Sequence, residues 1–576
     1  MSRALCRWLL ALVAGLFAVA PGRAPAAARE PLLLGDDERL LVFAPHPDDE
    51  TLAAGGLIQE ALALDLPVRI CFFTMGDNNE FASLFTRRHP VLMPGPARST
   101  GLRRQNEALA AATSLGLSSN DVVFLGYPDS GTLDVWNHHW RAVPPYRSPL
   151  TKANGVPYDA ALTPGSAYAG EDILDDLDEV LRDFRPTHVF VPHPADHNVD
   201  HRAMNLFVRI ALWNLAADGA GAPAVLAYPA HFAQWPVPRG FRPDVPAEPP
   251  TFLAAAAWRE YALAPFQTSN KLAALRRHHS QFLRAAPYFE SFARKTELFA
   301  PLADLAFPGG VGAADLTERD DTQFRPDGDL LRDVAQSDSY WNDVAGQNDS
   351  EAKELADLDN DFVQRSCAGD GVALTVACRF RRPIAPAATL SIRLFGHRAD
   401  VPFGDMPKIE IEIGPRDNLV VCDLNRKLPP DSVQLVPGGA DERTVRVPYA
   451  LLGQPERILV GAHLVKGTLP IDETPWVALD LDGAPLPDAP APAPAPDFPL
   501  AAATPAAEPP APAPKPPAQA DPPESAPVAE PPAVEPPALV PAVASALPPP
   551  PTLAPRVHLP RLSIPEKTEA NEPVVW

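Results

Sequence analysis

The sequence predicts an α/β fold, in which a Rossmann-like, doubly wound and mostly parallel sheet is followed by a β-sandwich-like domain and a disordered Pro/Ala-rich tail. Three observations support this prediction. Short apolar runs alternate with helical patterns from about residue 40 to about residue 300, and period-two segments follow up to about residue 482. Beyond about residue 486, proline and alanine dominate, so this stretch lacks the apolar side chains that a core requires.

The apolar runs of the first region are continuous rather than alternating, as expected of strands that are buried on both faces. Helical patterns separate these runs, which is typical of a parallel sheet covered by helices on both sides. In such a sheet, ligands bind beyond the carboxyl ends of the strands. The predicted strands lie at residues 40–44, 68–74, 122–127 and 188–192.

The period-two segments of the second region are separated by turn residues, and this spacing predicts an antiparallel sandwich or barrel.

Together these patterns divide the chain into five parts. They are a signal peptide at 1–28, an α/β domain at 29–300, a polar connecting region at 301–361, a β-rich accessory domain at 362–485 and the tail at 486–576.

The N-terminus has the three parts of a secretory signal: basic Arg3 and Arg7, an apolar run over residues 8–20, and small residues after it. A retained membrane anchor is the alternative, but the run is shorter than the roughly 20 residues that a span needs. We therefore expect an exported protein, periplasmic or secreted, that has no membrane span after cleavage.

Charge and cysteine usage exclude two classes of function. The formal net charge is -23, and no basic stripe is present that could neutralise a phosphate backbone, so we expect no nucleic-acid partner. The 5 cysteines form no CxxC pair, so neither a thiolate metal site nor a redox motif is indicated. Any bound metal must therefore rely on histidine and carboxylate ligands.

Two loops carry such ligands, and each directly follows a predicted buried strand. The first reads His46-Pro47-Asp48-Asp49-Glu50. An acidic cap on the next helix would explain Asp49 or Glu50 alone, but it would not require His46 or the flanking prolines, which fix the backbone direction.

The second loop holds three histidines and two aspartates within nine residues, from His193 to His201. The predicted topology places both loops at one edge of the sheet. Two imidazoles and one carboxylate with an open fourth position are the usual ligands of a catalytic zinc ion, and a second carboxylate nearby can act as the base.

These motifs, His46-Pro47-Asp48-Asp49-Glu50 and Asp200-His201-Arg202-Ala203, resemble those of the PIG-L (LmbE-like) family of zinc-dependent N-acetylglucosaminyl deacetylases. The resemblance covers about residues 40–300 and includes the stretches at 73–77 and 125–131. It implies that His46, Asp49 and His201 bind Zn²⁺ and that Asp48 is the general base.

The resemblance also implies that Arg104 and Asp129 face the substrate. From the residues alone, Arg104 is equally explained by pairing with Glu107 one helical turn away, and Asp129 by its place in a Pro-Asp-Ser-Gly turn. Both explanations remain open at this point.

The chain departs from the family at one position. Many members carry a histidine two residues before the aspartate of the Asp-His pair, whereas this chain has Asn198. Asn198 can bind the substrate through a hydrogen bond but has no titratable proton for an amine. We predict that His231 or His197 supplies that proton; the alternative is that Asp48 shuttles it alone.

The resemblance therefore implies hydrolysis of N-acetyl groups on amino sugars, as a glycoconjugate or polysaccharide. A binding protein without catalysis and an amide hydrolase for another N-acyl substrate are the alternatives, and the presence of Asp48 favours catalysis. The β-rich domain is expected to bind carbohydrate or to pack on the α/β domain, with a purely structural role as the alternative. This domain or the tail would also account for contact with a cell-envelope polysaccharide.

Overall fold

The computed structural model describes residues 29–77, 94–316 and 362–481, apart from residues 142, 233–234, 251–252, 255, 386–387 and 467–468. The predicted signal peptide, most of the connecting region and the predicted tail lie outside the described residues. The described residues all belong to one compact unit. None of the helices within these ranges is both long and apolar enough to cross a membrane.

Eight strands form the sheet of the α/β region. In chain order they are β1 Glu30–Pro31, β2 Leu40–Ala44, β3 Val68–Thr74, β4 Val122–Tyr127, β5 His188–Pro192, β6 Ala224–Tyr228, β7 Arg259–Ala262 and β8 Thr296–Pro301. Each of the four predicted strands is present at its predicted residues.

The strand order across the sheet is β1-β7-β8-β6-β5-β2-β3-β4. The five strands from β6 to β4 run parallel, whereas β8 pairs antiparallel with both β6 and β7. The predicted α/β domain with a mostly parallel sheet is thus confirmed. The antiparallel strand β8 at one side of the sheet was not predicted. Starting from β2, the chain builds outward first through β3 and β4 and then through β5 and β6, which is the order of a doubly wound sheet.

Helices cover both faces of this sheet. Within the described ranges they are α1 Asp49–Ala63, α2 Pro94–Leu115, α3 Thr132–His138, α4 Gly170–Phe184, α5 Val199–Ala217, α6 Pro265–Leu275 and α7 His279–Glu290. One apolar cluster lies between the sheet and α3, α4 and α5, and another lies between the opposite face and α1 and α2. Burial on both faces explains why β2 is apolar throughout and β5 is apolar after His188.

The second region contains two further sheets. Its strands are β9 Leu305–Ala306, β10 Val311–Asp315, β11 Phe362–Asp370, β12 Ala373–Phe380, β13 Ala388–His397, β14 Lys408–Ile413, β15 Leu419–Asp423, β16 Arg426–Leu428, β17 Gln434–Val436, β18 Glu442–Pro448, β19 Arg457–Lys466, β20 Leu469–Glu473 and β21 Val477–Asp480. The five-stranded sheet has the order β10-β11-β12-β18-β17, and the other has the order β16-β15-β14-β13-β19-β21-β9, with β20 paired to β19.

The two sheets share one apolar core, as side chains from β12, β13, β14, β18 and β19 meet in it. Residues 305–306 and 311–315, which the sequence analysis assigns to the connecting region, are strands β9 and β10 of these sheets. Each is too short to produce a clear period-two pattern. The outer face of the larger sheet packs on the α/β region, where Phe395 and Trp476 join the apolar cluster around Trp136.

Candidate functional site

The candidate site lies where the sheet changes its direction of winding. Strands β2 and β5 are adjacent and parallel, and the chain leaves them toward opposite sides of the sheet. The crevice beyond the carboxyl ends of such a strand pair is the usual ligand site of doubly wound folds. The loops that carry His46 and His201 follow these two strands, so topology alone brings them together.

Three imidazoles face the carboxylate of Asp49. Nδ1 of His46 lies 3.2 Å and Nε2 of His201 lies 3.0 Å from its Oδ2 atom. Nε2 of His231 lies 3.5 Å from Oδ1 of the same carboxylate. His46, Asp49 and His201 are buried, whereas the side chain of His231 is 33% exposed and forms the open side of the cluster.

Fixed carboxylates face the far nitrogens of the two buried imidazoles. Nε2 of His46 lies 3.2 Å from Oδ2 of Asp200, and Nδ1 of His201 lies 3.2 Å from Oδ2 of Asp196. A carboxylate in this position fixes the orientation of a metal-bound imidazole and makes its other nitrogen a better ligand. Each ring therefore has one nitrogen held by the protein and one nitrogen turned toward Asp49.

His231 is held in a similar way by a phenol. The hydroxyl of Tyr288 lies 2.9 Å from Nδ1 of His231 and donates a hydrogen bond to the carbonyl of Ala230 at 3.1 Å. The backbone N–H of His231 donates to Asp196 at 2.9 Å. These contacts direct Nε2 of His231 toward Asp49.

The cluster meets the chemical requirements of a metal site. His46, Asp49, His201 and His231 each offer a ligand atom, and these atoms lie within 4.8 Å of one another. Among the described residues, Oδ1 of Asp49 and both ring nitrogens of His201 are buried and form ion-pair contacts of 3.0–3.5 Å that lack hydrogen-bond geometry. Unsatisfied buried lone pairs that converge on one point are costly unless an ion is bound there. Burial opposes ionisation of Asp49, but the imidazole of His201 holds its pKa well below the usual range.

Asp48 lies beside this cluster on a strained backbone. Its φ of 150° and ψ of -28° belong to a region that residues other than glycine rarely adopt, at a cost of about 1–3 kcal/mol. The backbone N–H of Asp48 donates to Glu50 at 3.0 Å, and Nη2 of Arg104 lies 3.1 Å from its Oδ2 atom. Burial raises the pKa of Asp48, although the Arg104 guanidinium opposes this shift.

Comparison with known proteins finds matches over the part of the chain that contains His46, Asp49 and His201. Residues 41–212 match the family model described as PIG-L: GlcNAc-PI de-N-acetylase. A 1D-myo-inositol 2-acetamido-2-deoxy-alpha-D-glucopyranoside deacetylase of Mycobacterium sp. (strain KMS) is 31% identical over 189 residues, which are 31% of this chain and 52% of that protein. A deacetylase of the same description from Saccharopolyspora erythraea is 33% identical over 167 residues, 28% of this chain and 48% of its own length.

Residues 41–212 form a PIG-L family domain. The chain spans about half the length of the curated relatives that it matches. Among solved structures, it resembles the N,N'-diacetylchitobiose deacetylase from Pyrococcus horikoshii with a TM-score of 0.30 and 16% identity, over 46% of this chain and 84% of that one.

Arg104 of the PIG-L domain lies against Asp48 rather than on the helix surface. Its Nη1 atom donates to the carbonyl of Gly76 at 2.9 Å, and its Nη2 atom donates to the carbonyl of Pro47 at 3.1 Å. Glu107 instead accepts hydrogen bonds from the backbone and hydroxyl of Ser280. The helical pairing of Arg104 with Glu107, one of the two explanations from the sequence, is therefore not formed.

Asp129 lies beside the His46 ring, on the side away from Asp49. Its Oδ1 atom is 3.4 Å from Nε2 of His46, and its backbone N–H donates to Asp77 at 3.0 Å. Burial, together with the charge of Asp129, raises the pKa of Asp77 to about 7. Asp129 and Asp200 both face the nitrogen of His46 that points away from Asp49, so they hold His46 in its orientation.

Asn198 and His197 lie at the N-terminus of helix α5. The side-chain oxygen of Asn198 caps this helix by accepting the backbone N–H of Asp200 at 2.8 Å. The ring of His197 packs against Phe232 with 5.7 Å between centroids, and burial lowers its pKa to about 4. Of the two predicted proton donors, the structure brings His231 to the Asp49 carboxylate, whereas His197 packs in a neighbouring aromatic cluster.

Several residues of this site are absent from the candidates that the sequence provides. Asp196 and Asp200 lie within the second histidine-rich loop, so their spacing could have marked them. Tyr288 lies on α7, 57 residues from His231, and no local pattern distinguishes it. The His278 imidazole, 3.2 Å from Oε1 of Glu50, likewise comes from a distant part of the chain.

Proposed function

We propose that this chain is a zinc-dependent N-deacetylase that hydrolyses the acetamide of N-acetylglucosamine-type sugars. The observation that carries the proposal is the convergence of His46, His201 and His231 on Asp49, with the carboxylate of Asp48 beside them. The proposal is further supported by the relatives, which are described as deacetylases of an acetamido sugar.

His46, Asp49 and His201 would hold the ion, as a donor set of two imidazoles and one carboxylate suits Zn²⁺. Bound zinc supplies an acidified water molecule and polarises the acetamide carbonyl. The protein contributes the orientation of these ligands through Asp200 and Asp196, which face the far nitrogens of His46 and His201.

Asp48 accepts a proton from the attacking water in this proposal. The Arg104 guanidinium and the buried hydrogen bond to Glu50 hold Asp48 in place, so its carboxylate does not reorganise during the reaction. Attack forms the new C–O bond, and cleavage of the C–N bond then leaves an amine that needs a proton.

His231 protonates this amine. It is the partly exposed member of the cluster, and Tyr288 holds its far nitrogen at 2.9 Å. Asp129 lies on the other side of His46, where its carboxylate can accept hydrogen bonds from sugar hydroxyls. Asn198 and Arg104 are the other two residues that we propose to contact the substrate.

Acetate release tests the proposal. Purified full-length protein loaded with one equivalent of Zn²⁺ is incubated with N-acetylglucosamine, chito-oligosaccharides, N-acetylglucosaminyl inositol and, as the amide alternative, N-acetylated amino acids. Release from any of the amino sugars is the expected result. Binding of the sugars without acetate release would indicate the non-catalytic alternative, and release only from other amides would change the substrate class.

We further propose that the protein acts outside the cytoplasm on a glycan, including polysaccharide of the cell envelope. The charge and apolar pattern of residues 1–20 supports export. Fractionation of cells that express the tagged chain tests this, since recovery of the full-length uncleaved protein in the cytoplasmic fraction would contradict it.

A further inference from the structure

The outer face of the larger β sheet is divided into an apolar half and a polar half. On β13, Leu390, Ile392 and Leu394 point into the core between the sheets, so the alternate residues face the α/β region. Toward the end of the strand these are Phe395 and His397, which pack on tryptophans of the α/β region. Toward its beginning they are the polar side chains Ser391 and Arg393.

The polar half lies at the active-site end of the interface. His397 at the end of β13 contacts Asn214 near the end of α5, at 2.9 Å. Glu473, on a strand next to the polar half, forms an ion pair at 2.7 Å with Arg202 in the first turn of α5. The span from Arg202 to Asn214 is about 18 Å along a helix, and Ser391 to His397 is about 20 Å along a strand.

The two distances agree, so the beginning of β13 lies level with the beginning of α5. That end of the helix carries His201, one residue before Arg202, and is therefore the end at which the proposed metal ligands lie. The polar half of the sheet thus lies at the end of α5 that carries His201.

We define the junction cluster as the polar residues of this half of the sheet together with the residues that they face at the end of α3 and the beginning of α5. Its members are His138, Arg202, Arg393, Glu410, His463 and Glu473. In contrast to Phe395, which is 1% exposed, Arg393, Glu410 and Glu473 retain 12%, 17% and 19% side-chain exposure. The cluster therefore reaches solvent and is not sealed inside the interface.

The charges of the junction cluster favour a neutral ligand. Arg393 pairs with Glu410 at 2.9 Å, as Arg202 does with Glu473, so each guanidinium is matched by a carboxylate. Burial lowers the pKa of His463 to about 4, so this imidazole is uncharged near neutral pH. Arginine, carboxylate and imidazole groups in such an arrangement offer both donors and acceptors, as vicinal sugar hydroxyls require.

Stability alone does not account for this cluster. A partly buried ion pair often contributes little compared with apolar residues of the same volume, and aromatic residues dominate the other half of the interface. The polar groups of that half, Lys408 and His397, are fully buried, whereas the Arg393–Glu410 and Arg202–Glu473 pairs reach solvent at the end near His201.

We propose that the junction cluster binds the neighbouring sugar unit of an oligosaccharide whose N-acetyl group lies in the catalytic cleft. This inference rests on the proposed function and extends it, because the β domain then contributes part of the substrate site. The occupant is a neutral, polyhydroxylated sugar ring rather than an anionic group.

The test compares substrates of one, two and three β-1,4-linked N-acetylglucosamine units with the zinc-loaded full chain. The variant Arg393→Met/Glu410→Gln removes both members of an ion pair and so leaves no charge unpaired. The matched control, Arg446→Met/Asp370→Asn, removes a pair at 2.7 Å between β18 and β11, on the other sheet. The measured quantity is the ratio of kcat/KM for the trisaccharide to kcat/KM for the monosaccharide.

We expect the ratio to be about ten or more in the wild type, the gain from one or two net hydrogen bonds, and close to one in the junction variant. The control should keep the wild-type ratio. An unchanged ratio in the junction variant, or a wild type that gains nothing from chain length, overturns the inference. Should the double variant not fold, His138→Asn alters the cluster from the α/β side and is judged by the same ratio.

Direct binding separates this inference from the proposed function. If the wild type releases no acetate from these three substrates or from N-acetylglucosaminyl inositol, the proposed function fails, and calorimetry with the trisaccharide then decides on the subsite. Binding that weakens about ten-fold in the junction variant supports it. Absent binding, or equal affinity in both proteins, overturns it.

Discussion

Replacement of Lys408 by methionine should change how the stability of the protein depends on pH. Lys408 is 1% exposed and lies between the β domain and the α/β region. Its ammonium group lies 4.6 Å from the ring centroid of Trp140 and 3.9 Å from that of Phe403, and it donates to the carbonyl of Met406 at 3.0 Å. Burial lowers the pKa of this amine from 10.5 to about 7.

The sign of the effect follows from proton binding. Between pH 7 and 10.5 the unfolded chain holds a proton on Lys408 that the folded chain has released, so the free energy of unfolding rises with pH in this window. Below pH 7 both states are protonated and the contribution is constant. The full shift corresponds to about 5 kcal/mol, of which about 2 kcal/mol is recovered between pH 7.5 and pH 9.0.

The assay is urea unfolding followed by tryptophan fluorescence at pH values from 6.0 to 9.0. Because other groups titrate equally in both proteins, the difference between wild type and Lys408→Met isolates the contribution of Lys408. We expect the wild type to gain about 2 kcal/mol relative to the variant between pH 7.5 and 9.0. Lys427→Met, at an exposed lysine of the same domain, should follow the wild type. Parallel curves for wild type and Lys408→Met would refute the reasoning.

The remaining predictions concern the proposed metal site and the acid and base beside it. The variant His46→Ala/His201→Ala should lose stoichiometric zinc in elemental analysis, and retention of one zinc per chain would contradict the proposed ligands. Asp48→Asn should keep the metal but lose about 10²–10⁴-fold in kcat, because only proton transfer is removed. His231→Ala should lose at least about 10²-fold in kcat, whereas His197→Ala should stay near the wild type. Rates near the wild type in both histidine variants would mean that Asp48 moves the proton alone.

The buried strands of the α/β region are predictable from the sequence because the signal is local. The strands β2, β3, β4 and β5 are mostly apolar and do not alternate, and burial on both sheet faces imposes this composition. The short strands β9 and β10 lack such a signal, because a few residues cannot show a period.

The convergence of His46 and His201 on Asp49 is predictable for a different reason. His46 and His201 are 155 positions apart in the chain but follow adjacent parallel strands, so topology implies their contact once the strands are assigned. Tyr288 shows the limit of this argument. It reaches His231 from helix α7, and neither strand topology nor local spacing determines which side chain of a covering helix points into the site.

The outer face of β13 shows why the relation between the two regions is not readable from the sequence. Alternation identifies the two faces of the strand, and a face that carries Arg393 beside Phe395 has the composition of a partly solvated surface. The structure covers its aromatic half with the α/β region, so Phe395 becomes core while Arg393 stays at the edge. The same covering buries Lys408, which lies on the neighbouring strand β14, so its lowered pKa results from this interface and not from the sequence near it.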